Sequence, residues 1–244
     1  MNLLKTLPTL AAALLTASVF SLVPSRAAHA QPTVTLGTEH VDLTFNYSGG
    51  WSLGVEDKDN GTDYLPGQAL LQINPEAQVT RPAGAEWDFL GLAAGETLSV
   101  LPTFRENANL LYLGTNVEGT PSGTFGSYDA TAESGGRVGA LPWVKVQLVS
   151  ISGPAGSNFS LWGSDTSGSP VVWMTTSDGI SDGTAPGSDP AKTDAIWINE
   201  GSHIHFNWGF SKPGTYEVTL KASGFVGGAL TTSDPVTYNF TVLP

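Results

Sequence analysis

Pro213-Gly214-Thr215-Tyr216-Glu217-Val218-Thr219-Leu220 is the stretch on which the fold reading turns. Pro-Gly is a turn signal. Beyond it the side chains alternate, with Tyr216, Val218 and Leu220 on one face and Thr215, Glu217 and Thr219 on the other. Alternation of period two marks a half-buried strand, which must lay its apolar face on a second layer.

The same pattern extends outward in both directions. Val41, Leu43, Phe45 and Tyr47 share one face of a strand, and Asp42, Thr44 and Asn46 the other; Gly49-Gly50 turns the chain back into residues 51–55. Further strands are expected at 97–101, 110–113, 143–151, 159–162, 171–175, 195–198, 202–208, 215–222 and 236–242. The best helical window is short, at 66–71. Segments 114–139 and 177–192, rich in Gly, Ser and Thr or in Asp, Gly and Pro, read as loops. Tyr216 resembles the corner tyrosine of immunoglobulin-like sandwiches, whose hydroxyl closes on nearby backbone. We therefore assign Tyr216 to the fold rather than to chemistry. The expected class is all-β, a sandwich of immunoglobulin-like or jelly-roll type, with one domain over residues 31–244.

Residues 1–30 are read separately, as a signal peptide. Lys5 forms a short basic region, an apolar stretch runs over 7–23, and Ala28-His29-Ala30 supplies the small residues of a cleavage site. The expected destination is outside the cytoplasm: periplasm, cell surface or extracellular space. No later stretch is apolar enough to span a bilayer.

The remaining chain carries 8 basic residues against 22 acidic ones, a net charge of −14. Such a chain repels nucleic acid and anionic membrane surfaces. The absence of cysteine excludes disulfides and thiolate metal sites. Any metal must therefore be held by nitrogen and oxygen.

Three histidines follow the signal: His40, His203 and His205. In His203-Ile204-His205-Phe206-Asn207-Trp208, alternation places His203, His205 and Asn207 on one face and Ile204, Phe206 and Trp208 toward the core. Imidazoles two residues apart on a strand lie roughly 6.5–7 Å apart along it and can converge on one ion. His40 is the candidate third ligand, with Asp42 on the same face of its strand and Asn207 as another possible donor. Such a nitrogen-rich set suits zinc or another late first-row divalent ion. The competing reading is of polar residues on a half-exposed strand.

The other motifs point less sharply. The acidic segment Glu56-Asp57-Lys58-Asp59-Asn60-Gly61-Thr62-Asp63 departs from a calcium loop in the position of its glycine and the lack of a closing Glu, so a solvated turn is expected and calcium is disfavoured. Of seven tryptophans, alternation places Trp143 and Trp208 in the core; exposed ones elsewhere would suit sugar stacking. No Gly-x-Ser-x-Gly elbow, phosphate loop or dinucleotide fingerprint occurs, so the chain is expected not to be an enzyme.

Taken in order, His40-Val41-Asp42-Leu43, Asp88-Phe89-Leu90-Gly91, Leu101-Pro102, Gly153-Pro154-Ala155-Gly156, Leu161-Trp162, and the block from His203 to Phe210 followed by Pro213-Gly214-Thr215-Tyr216 resemble the choice-of-anchor M proteins, related to the actinobacterial surface-anchored repeat. The resemblance covers nearly all of residues 31–244. It implies a non-enzymatic surface or exported domain with links to metal transport systems, and it maps the family's histidines onto His40, His203 and His205. Family members usually carry an anchor after the domain. Here Val242-Leu243-Pro244 ends the sequence, so either a released protein or a truncated sequence is expected. Two functions lead: a divalent-metal-binding envelope protein, and a carbohydrate- or protein-binding module whose histidines are incidental; a hydrolase is the least favoured third.

Overall fold

A computed structural model of the chain describes residues 32–181 and 193–244. The signal-peptide reading of residues 1–30, and the part of the 177–192 loop from residue 182 onward, lie outside the described residues. The chain folds as an all-β sandwich, as alternation required.

One layer is a seven-stranded sheet. Its order is β1 (Val34–Leu36), β5 (Ala69–Ile73), β19 (Val236–Val242), β17 (Gly214–Val226), β11 (Trp143–Ser152) and β14 (Ala195–Asn199), with β18 (Ala229–Thr232) added as a hairpin on β17. Two five-stranded sheets pack against it. The first runs β4 (Thr62–Tyr64), β3 (Trp51–Asp57), β2 (His40–Tyr47), β8 (Tyr112–Asn116), β15 (His203–His205). The second runs β13 (Pro170–Thr175), β12 (Phe159–Ser164), β16 (Asn207–Phe210), β7 (Thr97–Leu101), β6 (Gln78–Thr80). A short pair, β9 (Tyr128–Asp129) with β10 (Ala140–Leu141), lies apart.

A common core joins all three large sheets. Phe240 of the seven-stranded sheet meets Phe210 and Trp208 at ring-centroid distances of 5.3 and 6.1 Å, and Tyr238 meets Phe45 at 6.3 Å. Such pairs add to the burial of large apolar area that drives the layers together.

Residues 214–220 form the alternating strand that their sequence predicts. Tyr216, Val218, Leu220 and Ala222 are buried along β17, and Tyr216 Oη donates to the Lys212 carbonyl at 2.7 Å. Tyr216→Phe is expected to lower stability by about 1 kcal/mol, the net worth of one buried hydrogen bond, with no loss of fold. Urea unfolding checks it: the midpoint should fall and the slope stay unchanged.

Three expectations need correction. Residues 66–71 are not helical: Pro66–Gln68 make one 3-10 turn, and Ala69–Ile73 become a strand held between two parallel neighbours. That pairing exploits the alternate burial of Ala69, Leu71 and Ile73, which outweighs local propensity. The strand expected at 110–113 begins later and runs to Asn116, into the expected loop. The strand expected at 202–208 is two strands in different sheets, β15 and β16, with Phe206 at the step.

Candidate metal centre

The strand β2 divides its residues by face. Val41, Leu43 and Phe45 are fully buried in the core, which turns His40 and Asp42 to the outer face of the sheet. Strand β8 lies parallel to β2, with Tyr112 beside His40, Gly114 beside Asp42 and Asn116 beside Thr44. On its other edge β15 runs antiparallel, placing His205 beside Gly114 and His203 beside Asn116. Strand β3 sets Glu56 next to Asp42. The sheet therefore carries a cross-strand row of Glu56, Asp42, Gly114 and His205, with His40 and His203 flanking it.

Gly114 is what lets this row close. A Cβ there would fall on Asp42 Oδ1 and lie 3.0 Å from His205 Nε2. Without it, Asp42 and His205 lean toward each other across a bare strand. One donor atom from each of His40, Asp42, His203 and His205 then lies within 4.8 Å of all the others. His203 Nε2 and His205 Nε2 are 2.8 Å apart, and Asp42 Oδ1 lies 3.6 Å from His40 Nε2 and 3.7 Å from His203 Nε2. Donors around a tetrahedral zinc would be separated by about 3.3 Å, given bonds of roughly 2.0–2.1 Å. The observed spacings bracket that value.

Two of the four facing atoms lack a hydrogen-bond partner, while His203 Nε2 and His205 Nε2 lie within hydrogen-bond distance of each other. His40 Nε2 and Asp42 Oδ1 are buried and accept or donate no hydrogen bond. A buried polar atom left unpaired costs about 1–3 kcal/mol, which a cation at the shared focus would recover. Asp42 is fully buried although it stands on the outer face of the sheet.

Aromatic packing fixes the rings. Tyr112 stacks on His205 with centroids 3.7 Å apart and planes 8° from parallel, and lies 4.9 Å from His40. Burial, then the neighbouring charge of His203, pushes the pKa of His205 down to about 4, against a smaller upward pull from the Leu113 carbonyl. Burial also lowers His40, opposed by Asp42. Neutral imidazole is the metal-binding form, so His205 is in the form that ligates at neutral pH.

A second ring of polar groups surrounds the four. Asn116 Nδ2 donates to Asp42 Oδ2 at 3.1 Å and to Glu56 Oε2 at 2.9 Å. Lys58 Nζ lies 2.7 Å from Glu118, 3.0 Å from Glu56 and 3.7 Å from Asp42. Burial of Lys58 works against its charge, but hydrogen bonds to Glu118 and Glu56 outweigh it and raise its pKa.

Of the residues singled out in the sequence, His40, Asp42, His203 and His205 come together and Asn207 does not. Asn207 Oδ1 accepts from the Thr103 N–H at 3.1 Å, and its Nδ2 donates to the Trp162 carbonyl at 3.3 Å. The step between sheets at Phe206 breaks the alternation that would have kept Asn207 beside the histidines. Ile204, expected in the core, is 39% exposed because β15 is the outermost strand of its sheet. Tyr112, Gly114, Asn116, Glu56, Lys58 and Glu118 were not singled out for this centre. A glycine inside an apolar strand, Leu113-Gly114-Thr115, was the one available signal, since such a glycine often marks close approach of another group.

The remaining motifs find plain places. Asp57 accepts from Asn60 twice, and Asp59 accepts from the His40 N–H and from Arg105, so these carboxylates of the acidic turn are engaged by protein donors. Trp208 is core, as expected. Trp143 is only half-buried and, with Trp173, Trp197, Ile204 and Phe206, lines a cavity of about 330 Å³ between β14 and β15. It stands at the first position of its strand, at the rim of the core. No helix among the described residues is long and apolar enough to cross a membrane.

No family model, curated protein or solved structure matches the chain.

Proposed function

We propose that this chain is an exported, non-enzymatic binding protein of the cell envelope that holds one divalent ion, zinc or a neighbouring late first-row metal, through His40, His203, His205 and Asp42. The carrying observation is the convergence of four donor atoms whose inward-facing members, His40 Nε2 and Asp42 Oδ1, are buried without partners. Three imidazoles and one carboxylate match the preferences of zinc. The choice-of-anchor M resemblance, with its metal-transport associations, supports the same reading, as does the signal-like amino terminus.

The test is metal content and titration calorimetry with zinc and copper. Wild type is expected to take up one equivalent, and His203→Ala/His205→Ala to lose at least 1,000-fold in affinity, two of four ligands being gone. Equal and negligible binding by both proteins would end the proposal.

The Trp-lined cavity supports a second reading, of a module that binds a sugar or a partner side chain by stacking. Glycan-array binding that survives loss of both His203 and His205 and is abolished by Trp173→Ala would favour it.

A further inference from the structure

Asp42 faces two ways. Its Oδ1 is directed at the imidazoles of His40 and His203, while its Oδ2 accepts from Asn116 and faces the ammonium of Lys58 at 3.7 Å. That ammonium also lies 3.0 Å from Glu56 Oε2 and 2.7 Å from Glu118 Oε2. A cation is thus already seated where three carboxylates meet, next to the histidine centre and sharing one carboxylate with it. Asp42 and Glu56 stand directly opposite each other across β2 and β3, and their repulsion is offset by the Asn116 amide, which donates to both, and by the Lys58 ammonium.

Charge counting supports two cation positions. Asp42, Glu56 and Glu118 as carboxylates bring three negative charges, and Lys58 cancels one. With neutral imidazoles, one divalent ion at the histidines makes the whole assembly neutral. The oxygen-lined position opens on a cavity of about 570 Å³ whose wall includes Glu56, Lys58 and Glu118, so a hydrated ion has access to it.

We infer that Lys58 is a tethered ion filling the second position of a carboxylate-bridged, two-centre cation site. This rests on the metal reading above for the histidine centre. Lys58 then holds the capacity of the protein at one ion and, by repulsion across Asp42, keeps that ion exchangeable. Without the lysine, the second position is lined by carboxylate oxygens of Asp42, Glu56 and Glu118, with the Asn116 amide donating to the first two, and such carboxylates suit a hard divalent cation such as manganese.

The experiment compares the full chain with Lys58→Met, Lys58→Arg and His203→Ala/His205→Ala/Lys58→Met, using zinc calorimetry and manganese paramagnetic resonance. Lys58→Met is expected to bind zinc about tenfold or more tightly, from removal of a nearby positive charge, and to take up one manganese ion that wild type refuses. Lys58→Arg should behave as wild type. The triple variant should keep the manganese and lose the zinc. If Lys58→Met is folded by circular dichroism, yet takes no manganese and binds zinc as wild type does, the inference is overturned. Lys58→Gln, which retains a donor toward Glu118, carries the same comparison if the methionine variant unfolds. A wild type that binds no zinc would instead defeat the histidine reading, and manganese uptake by the triple variant would still decide the oxygen position.

Discussion

Replacing Gly114 by alanine is expected to abolish high-affinity metal binding while leaving a folded protein. The added methyl must occupy the space into which Asp42 Oδ1 and the His205 ring lean. One of the two has to withdraw. His205 is clamped by Tyr112, and Asp42 by Asn116, so neither can do so cheaply. Displacing groups around a metal's ligands costs roughly 10–100-fold in affinity, and displacement of a ligand itself should cost about 100-fold or more. Overpacking of this kind destabilises by about 1–3 kcal/mol. Gly50→Ala is the matched control, because a Cβ at Gly50 meets nothing within 4 Å. Zinc calorimetry and urea unfolding on both variants check the prediction. Unaltered zinc affinity in Gly114→Ala would mean that the metal, if bound, does not sit across this strand.

The second large effect is on stability, and it depends on pH. A metal that binds only the folded chain stabilises it by about 4.1 kcal/mol at a thousandfold excess over the dissociation constant. Thermal unfolding should therefore shift upward with zinc in wild type and stay put in His203→Ala/His205→Ala. Without metal, the depressed pKa of His205 sets the direction. Its folded value is about 4 against an ordinary 6.5. Between those values the unfolded chain binds the proton and the folded chain does not. The contribution of His205 is thus fully present above pH 6.5 and is lost as the pH falls toward 4. Lowered His40 acts in the same direction. Metal binding should weaken as the pH falls, because a protonated imidazole cannot ligate, and His205, whose pKa burial lowers, is held in the ligating form to lower pH than a free imidazole. A melting temperature that is flat from pH 7 to 4 in the metal-free protein, but not in the double-histidine variant, would contradict this account.

Sequence and structure divided the work along physical lines. Alternation is a local property, so the core-facing residues of β2 and β17, the corner role of Tyr216 and the common face of His203 and His205 follow from the order of residues alone. Local rules failed where partners were remote. Ala69–Ile73 is a strand because two parallel neighbours enclose it. Phe206 is a step between sheets because β15 and β16 pair with different strands, and that step carries Asn207 away from the histidines.

The candidate metal centre shows the same division. His40, His203, His205 and Asp42 were legible as donors, since no other histidine follows residue 30 and cysteine is absent. Their convergence was not legible. It needs β8 to lie parallel to β2 and antiparallel to β15, and a glycine on β8 to stand between Asp42 and His205. Side-chain chemistry is written in the residues themselves. The distance between two donors far apart in the chain is set by strand pairing, a collective outcome of packing across the whole fold.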